Sequence, residues 1–141
     1  DGEMNPEYTQ AIDFEQLRTL AREVAEKAYS PYSKVRVGAA LLAQDGQVFT
    51  GCNVENASFG ATLCAERTAL GHAISAGQQQ FTALAIWASP ESLLMPCGIC
   101  RQMLFEFSPE LAIVIDSNGA GPKYTRLDEL LPSGVKPSDL I

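Results

Sequence analysis

Apolar positions along the chain keep two rhythms in turn. Phe14, Leu17, Leu20, Ala21, Val24, Ala25 and Ala28 recur at helical spacing behind Asp13, an N-cap with Gln16 as its capping-box partner. They predict a helix that Ser30-Pro31 ends. Residues 35–43 and 48–53 then read as two strands, joined at Gln44-Asp45-Gly46-Gln47 by a hairpin turn of the Asp-Gly kind. A helix over 64–76 follows, with Gly77 suited to terminate it. Residues 81–88 are continuously apolar, which places them at a sheet centre covered on both faces. Residues 97–107 read as a helix, 112–115 and 123–125 as strands, and 127–131 as a short helix stopped by Pro132. This alternation predicts an α/β fold, a three-layer α/β/α sandwich on a mixed five-stranded sheet.

Residues 1–12 are polar and lack periodicity, so they are expected to form a frayed, disordered N-terminal arm. Residues 13–141 are expected to form a single domain. The chain has 141 residues, 46% hydrophobic and 19% charged, enough for one buried core. Its net charge of −7 and the absence of any basic cluster argue against a nucleic-acid partner. No apolar run suits a membrane span, and no signal-peptide pattern is present. Without a secretory context, four cysteines read better as metal ligands than as disulfides, and the expected location is cytoplasmic.

Chemistry concentrates in Cys64-Ala65-Glu66 and Pro96-Cys97-Gly98-Ile99-Cys100. One thiol alone and two thiols three positions apart have the spacing of a zinc site. Each stretch opens a predicted helix, and a helix N-terminus favours the thiolate that zinc requires. Cys97 and Cys100 are expected on one face of one helix. Three ligands leave one tetrahedral position open, which is the catalytic pattern. Glu66 lies beside the metal rather than on it, where a carboxylate suits proton transfer. Arg67 can offset the thiolate charge. Cys52 is expected as a small buried apolar residue, since a fourth protein ligand would close the site. His72, two helical turns beyond Cys64, is expected to be structural or to sit at an interface. Asn53 and Glu55, two apart on extended backbone, point to one side. An amide beside a carboxylate suits a sugar hydroxyl; the plainer alternative is a loop Asn and a solvated Glu.

These residues resemble the cytidine deaminases, in the small homotetrameric form that acts on free nucleosides. The motifs occur in that family's order: Pro31-Tyr32-Ser33-Lys34, Val37-Gly38-Ala39-Ala40, Gly51-Cys52-Asn53-Val54-Glu55-Asn56, Cys64-Ala65-Glu66-Arg67 and Pro96-Cys97-Gly98-Ile99-Cys100-Arg101-Gln102. The resemblance covers the chain from about Phe14 onward. It implies one Zn2+ per chain and hydrolytic deamination of cytidine and deoxycytidine to uridine and deoxyuridine, with release of ammonia, in pyrimidine salvage. It further implies that Asn53 and Glu55 hold the ribose 3′-hydroxyl and that the Ala65 N–H binds the pyrimidine carbonyl. Arg101 and Gln102 would orient the thiolates and the helix start. A homotetramer with shared active sites is implied, with no nucleic acid or membrane as partner.

Three positions depart from the family pattern. Val35 stands where a Phe usually lies against the pyrimidine, and Phe59 stands where an aromatic, usually Tyr, reaches a neighbouring subunit's site. The tail ends Asp139-Leu140-Ile141, without the family's C-terminal aromatic. A looser base pocket that tolerates modified pyrimidine nucleosides is therefore expected. Three alternatives stay open. A blasticidin-type antibiotic deaminase shares the cysteine motifs but is not expected to keep Asn53-Val54-Glu55-Asn56. A thiol redox protein explains Cys97 and Cys100 but not Cys64 and Glu66. A closed structural zinc module needs Cys52 as a fourth ligand.

Overall fold

The computed structural model describes residues 12–90, 94–119 and 121–141. Its elements are α1 (Phe14–Ala25), β1 (Arg36–Ala43), β2 (Val48–Cys52), α2 (Ala65–Ser75), β3 (Phe81–Ser89), α3 (Gly98–Phe105), β4 (Ala112–Ser117), β5 (Lys123–Arg126) and α4 (Leu127–Leu130). The strands form one mixed sheet in the order β2-β1-β3-β4-β5. β3 pairs antiparallel with β1 and parallel with β4; the edge strands β2 and β5 are antiparallel to their neighbours. The expected mixed five-stranded sheet is present, and β3 is its central strand.

Side chains leave the sheet alternately, and two cores result. On one face Ala40, Ala83, Ala85, Ala112 and Val114 meet Phe14, Leu17 and Ala21 of α1. On the other, Leu41, Leu84, Ile86, Ile113 and Ile115 meet Ala69 and Leu70 of α2 and Leu104 and Phe105 of α3. Two glycines set how close the helices come. A Cβ on Gly38 would lie 1.9 Å from the Ala21 carbonyl oxygen, and one on Gly51 would lie 2.4 Å from the Ala69 nitrogen. Only hydrogen fits at either place, so α2 rests directly on β2 and its first turn is fixed against the sheet.

The helix ends follow from local chemistry. The Asp13 carboxylate accepts the Gln16 N–H at 3.0 Å and starts α1. α1 stops at Ala25, three residues before the expected end. Lys27 and Ala28 instead donate to carbonyls three residues back, at 3.0 and 3.1 Å, and Tyr29 donates to the Asn53 carbonyl in a strand-like bridge beyond β2. The pull of that bridge overrides the helical spacing of Ala28. α2 ends as expected: Gly77 takes a φ of 94°, and the Gly77 and Gln78 N–H groups turn back onto Ile74 and Ala73. β4 outruns its apolar stretch by two residues because Arg18 of α1 holds Asp116 at 3.0 Å. Of the arm read as frayed, residues 1–11 lie outside the described residues; Ile12 is buried in the α1 core. Parts of the loops around 91–93 and 120 also lie outside the described residues. No described helix is long and apolar enough to cross a membrane.

Candidate metal centre and active site

Cys64 is the N-cap of α2, and Cys97 is the N-cap of α3. Both helix starts therefore present their free N–H groups beside a thiol. Cys97 does not share a helix face with Cys100, as the spacing had suggested. It precedes the helix on extended backbone, and its sulfur turns back to accept the Cys100 N–H at 3.4 Å. The three sulfurs of Cys64, Cys97 and Cys100 all lie within 4.8 Å of one another. Cys64 and Cys97 are 3.8 Å apart and Cys97 and Cys100 3.3 Å, and none is in a disulfide. Tetrahedral zinc, with Zn–S near 2.3 Å, sets sulfurs about 3.8 Å apart. The donor set and its spacing fit that ion.

The electrostatics point the same way. Hydrogen bonding from Cys100, and then from Arg67, brings the Cys64 thiol down to about 5 against the cost of burial. The same contact, with burial and the nearby Glu66, pushes Cys100 far up. One thiolate is welcome at this point and a second is resisted. A divalent cation would remove that conflict by neutralising both. Cys52, half-buried at the end of β2, is not in this cluster.

Glu66 lies in the first turn of α2 and is buried. Burial, above all, lifts its carboxyl to about 7, and the Cys64 charge adds to the rise. The neighbouring Arg67 guanidinium reaches the Thr62 carbonyl at 3.0 Å and the Cys64 sulfur at 3.6 Å. Its Nε is buried without a partner. Ala65 is the first residue of α2, fully buried, with one of the unpaired N–H groups of the helix start. Arg101 donates to the Pro96 carbonyl at 2.7 Å and to the Leu130 carbonyl at 2.9 Å. Gln102 donates to the Val135 carbonyl at 3.0 Å. These two side chains tie the start of α3 to the C-terminal segment. They touch no sulfur directly.

Cys64, Cys97, Ala65 and Glu66 line a cavity of about 330 Å³. Val35, Asn53 and Ile86 form another part of its wall, and the exposed Leu94 and Met95 stand at it too. None of the described lining residues is aromatic. Glu55 and Phe59 line a second hollow of about 400 Å³ together with Tyr32. Ser33 and Thr62 belong to both spaces. Phe59 is 75% exposed, and its ring meets that of Tyr32 edge-on at 6.0 Å. His72 stands clear of the site, its Nδ1 3.3 Å from the Thr50 carbonyl and its ring edge-on to Phe49.

Asn53 and Glu55 follow β2 on irregular backbone, and both are buried rather than solvated. Asn53 accepts the Val37 N–H and donates to the Val35 carbonyl, both at 2.9 Å. Glu55 accepts the N–H groups of Tyr32 and Ser33 at 3.0 and 3.1 Å and the Ser33 hydroxyl. Sequence reasoning gave no role to Ser33, Thr62, Leu94 or Met95. Ser33 and Thr62 reach the site from loops, and only Ser33 sat inside a quoted motif.

Residues 12–115 match the family "Cytidine and deoxycytidylate deaminase zinc-binding region". A cytidine deaminase of Sporosarcina psychrophila is 44% identical over 130 residues, 92% of this chain and 96% of that one. A cytidine deaminase of Mycobacterium tuberculosis is 45% identical over 129 residues, 92% of this chain and 94% of that one. The crystal structure of cytidine deaminase from Burkholderia pseudomallei superposes with a TM-score of 0.83 at 42% identity, covering 88% of this chain and all of that one. A blasticidin-S deaminase of Bacillus cereus is more distant, 32% identical over 108 residues, 71% of this chain and 76% of that one.

Proposed function

The chain belongs to the cytidine and deoxycytidylate deaminase zinc-binding family, and from that premise we propose that it hydrolyses cytidine and deoxycytidine to uridine and deoxyuridine, releasing ammonia. One observation carries the reading: three free sulfurs converge beside a buried carboxyl at the wall of one nucleoside-sized cavity. Cys64, Cys97 and Cys100 would hold the zinc, one ion per chain. Bound there, the ion supplies Lewis-acid activation of water.

Glu66 carries the protons. Its carboxyl, near neutrality by burial, takes a proton from the attacking water and gives it to ring N3 as oxygen adds to C4. It then takes the remaining proton from the oxygen added at C4 and delivers it to the exocyclic amine; the C4 carbonyl forms as the C4–N4 bond breaks, and ammonia leaves. The Ala65 N–H binds the pyrimidine carbonyl. Asn53 and Glu55 each keep hydrogen-bonding capacity for the 3′-hydroxyl: a carboxylate has about four acceptor sites, and a primary amide offers two donors and two lone pairs. Arg67 balances the thiolates, and Arg101 and Gln102 brace the start of α3 behind them.

The base pocket is roomy. Val35 presents a short aliphatic wall, and no described lining residue offers an aromatic ring to stack on the base. Stacking is worth about 1–3 kcal/mol where bases meet aromatic side chains. The protein forgoes that gain and accepts pyrimidines with larger N4 groups. Phe59, largely exposed, is a natural contact for a neighbouring subunit in a homotetramer with shared sites. The setting is cytoplasmic pyrimidine salvage. The antibiotic deaminase alternative has the weaker support, because its relative is more distant and Asn53-Val54-Glu55-Asn56 is intact.

Ammonia release from cytidine and deoxycytidine, measured before chelation, after it and after zinc is restored, tests the proposal. Turnover that disappears and returns with about one zinc per chain supports it. A zinc-loaded protein inert on both nucleosides overturns the substrate assignment. Inertness toward N4-alkylated cytidines, with fast turnover of cytidine, overturns the roomy pocket.

A further inference from the structure

Residues 32–37 run from a turn into β1 and supply one stretch of the cavity wall. Ser33 and Val35 face the cavity from this segment. Lys34 between them takes a φ of 64°, a left-handed conformation that costs a non-glycine residue about 1–2 kcal/mol. Something must hold the segment in this shape. The Ser33 hydroxyl donates to Glu55 Oε2 and accepts the Val35 N–H at 3.0 Å. Glu55 Oε1 accepts the N–H groups of Tyr32 and Ser33, and Asn53 accepts the Val37 N–H and donates to the Val35 carbonyl. Ser33 is thus the link between a buried carboxylate and the backbone of the residue that walls the pocket.

We infer that Ser33 is a positioning residue for the reaction: joined to Glu55 and to the Val35 N–H, it holds residues 32–37 in place as the wall against which the base is set. The inference rests on the deaminase reading above. It differs from a sugar-binding role for Glu55 in one respect. A contact to the sugar vanishes when the sugar hydroxyl is removed; a wall does not.

The experiment is a cycle between residue and substrate. Ser33→Ala and Ser33→Thr are compared with wild type on cytidine and on 2′,3′-dideoxycytidine, which has no 3′-hydroxyl. Amide hydrogen exchange of residues 32–37 is read in parallel. Ser33→Ala is expected to lower kcat/KM by about tenfold on both substrates, the scale of a hydrogen bond to a charged group. It is also expected to speed exchange of the Val35 amide. Ser33→Thr, which keeps the hydroxyl at an exposed position with room for a methyl, should restore both readouts to within about twofold. A loss on cytidine that disappears on the dideoxy substrate overturns the inference, as does unchanged kcat/KM on both. Wild type inert on both substrates refutes the deaminase reading instead. Exchange then decides the clamp alone: faster exchange in Ser33→Ala but not in Ser33→Thr sustains it, and no difference overturns it.

Discussion

Two ends of the site, the sulfur cluster at the main cavity and the Asn53–Glu55 pair between that cavity and the adjoining hollow, are built on opposite plans. At the sulfur end, polar side chains are left wanting partners. Cys64 caps α2 without a side-chain cap bond, Arg67 Nε is buried alone, and three thiols that resist a second negative charge are held together. At the Asn53 and Glu55 end, the polar side chains are taken up by the chain itself, in four bonds to the backbone of residues 32–37 and one to the Ser33 hydroxyl. An end left incomplete is made for something that arrives from outside. An end largely engaged within the chain makes shape first, with only its remaining acceptors and donors left for the substrate. Substitutions at the first should therefore act on chemistry with the fold intact, and substitutions at the second on stability and fit together.

Cys100→Ser should break the sulfur end most severely. Cys100 is buried and contributes one of the three candidate ligands found among the described residues. Zinc content by mass spectrometry should fall to near zero and deamination by about a thousandfold or more. At the other end, Asn53→Ala strips partners from the Val37 N–H and the Val35 carbonyl at once. Leaving such groups unmet costs about 1–3 kcal/mol. Denaturant titration should show a loss in that range, with zinc still bound.

The difference between the ends also decided what the sequence could tell. The sulfur end was legible because metal ligation imposes spacing: Cys64 alone, Cys97 and Cys100 three apart, Glu66 two beyond a ligand. The fold was legible where apolar rhythm rules, as in β3 and in the Gly77 end of α2. At the other end the pair Asn53 and Glu55 was legible but its partners were not, because a side chain bonded to backbone 16 to 23 positions away leaves no local pattern. Glu55 accepts from Tyr32 and Ser33, 23 and 22 positions back. The helical spacing of Ala28 likewise gave no sign that Tyr29 bridges to Val54 and unwinds the helix before it. The shared helix face for Cys97 and Cys100 failed for a third reason. A cap residue has extended backbone, and spacing alone does not tell a cap from a first turn.

Acid should separate the ends in a smaller way. The Ser33 hydroxyl, first among several donors, holds the Glu55 carboxyl below its ordinary 4.5. A lowered folded value means that the stability Glu55 contributes is present above the ordinary carboxylate range and is lost as pH falls through the folded value. The gap in urea midpoint between wild type and Glu55→Gln should therefore hold steady from about pH 8 to 6 and close below about pH 4.5. Smallest of all should be Cys52→Ser. Cys52 stands outside the sulfur cluster, so zinc content and kcat should stay within about twofold. Loss of the metal in that variant would return a closed four-ligand site to consideration.

The most direct measurement is kcat of Glu66→Gln on cytidine, with zinc quantified in the same sample. The amide matches the carboxyl in size but cannot carry a proton. Zinc near one per chain with kcat reduced by about 10²–10⁴ is the predicted result. A zinc-loaded Glu66→Gln protein that turns over within about tenfold of wild type would contradict the assignment of Glu66 as the proton carrier, and with it the division between a chemical end and a shaping end.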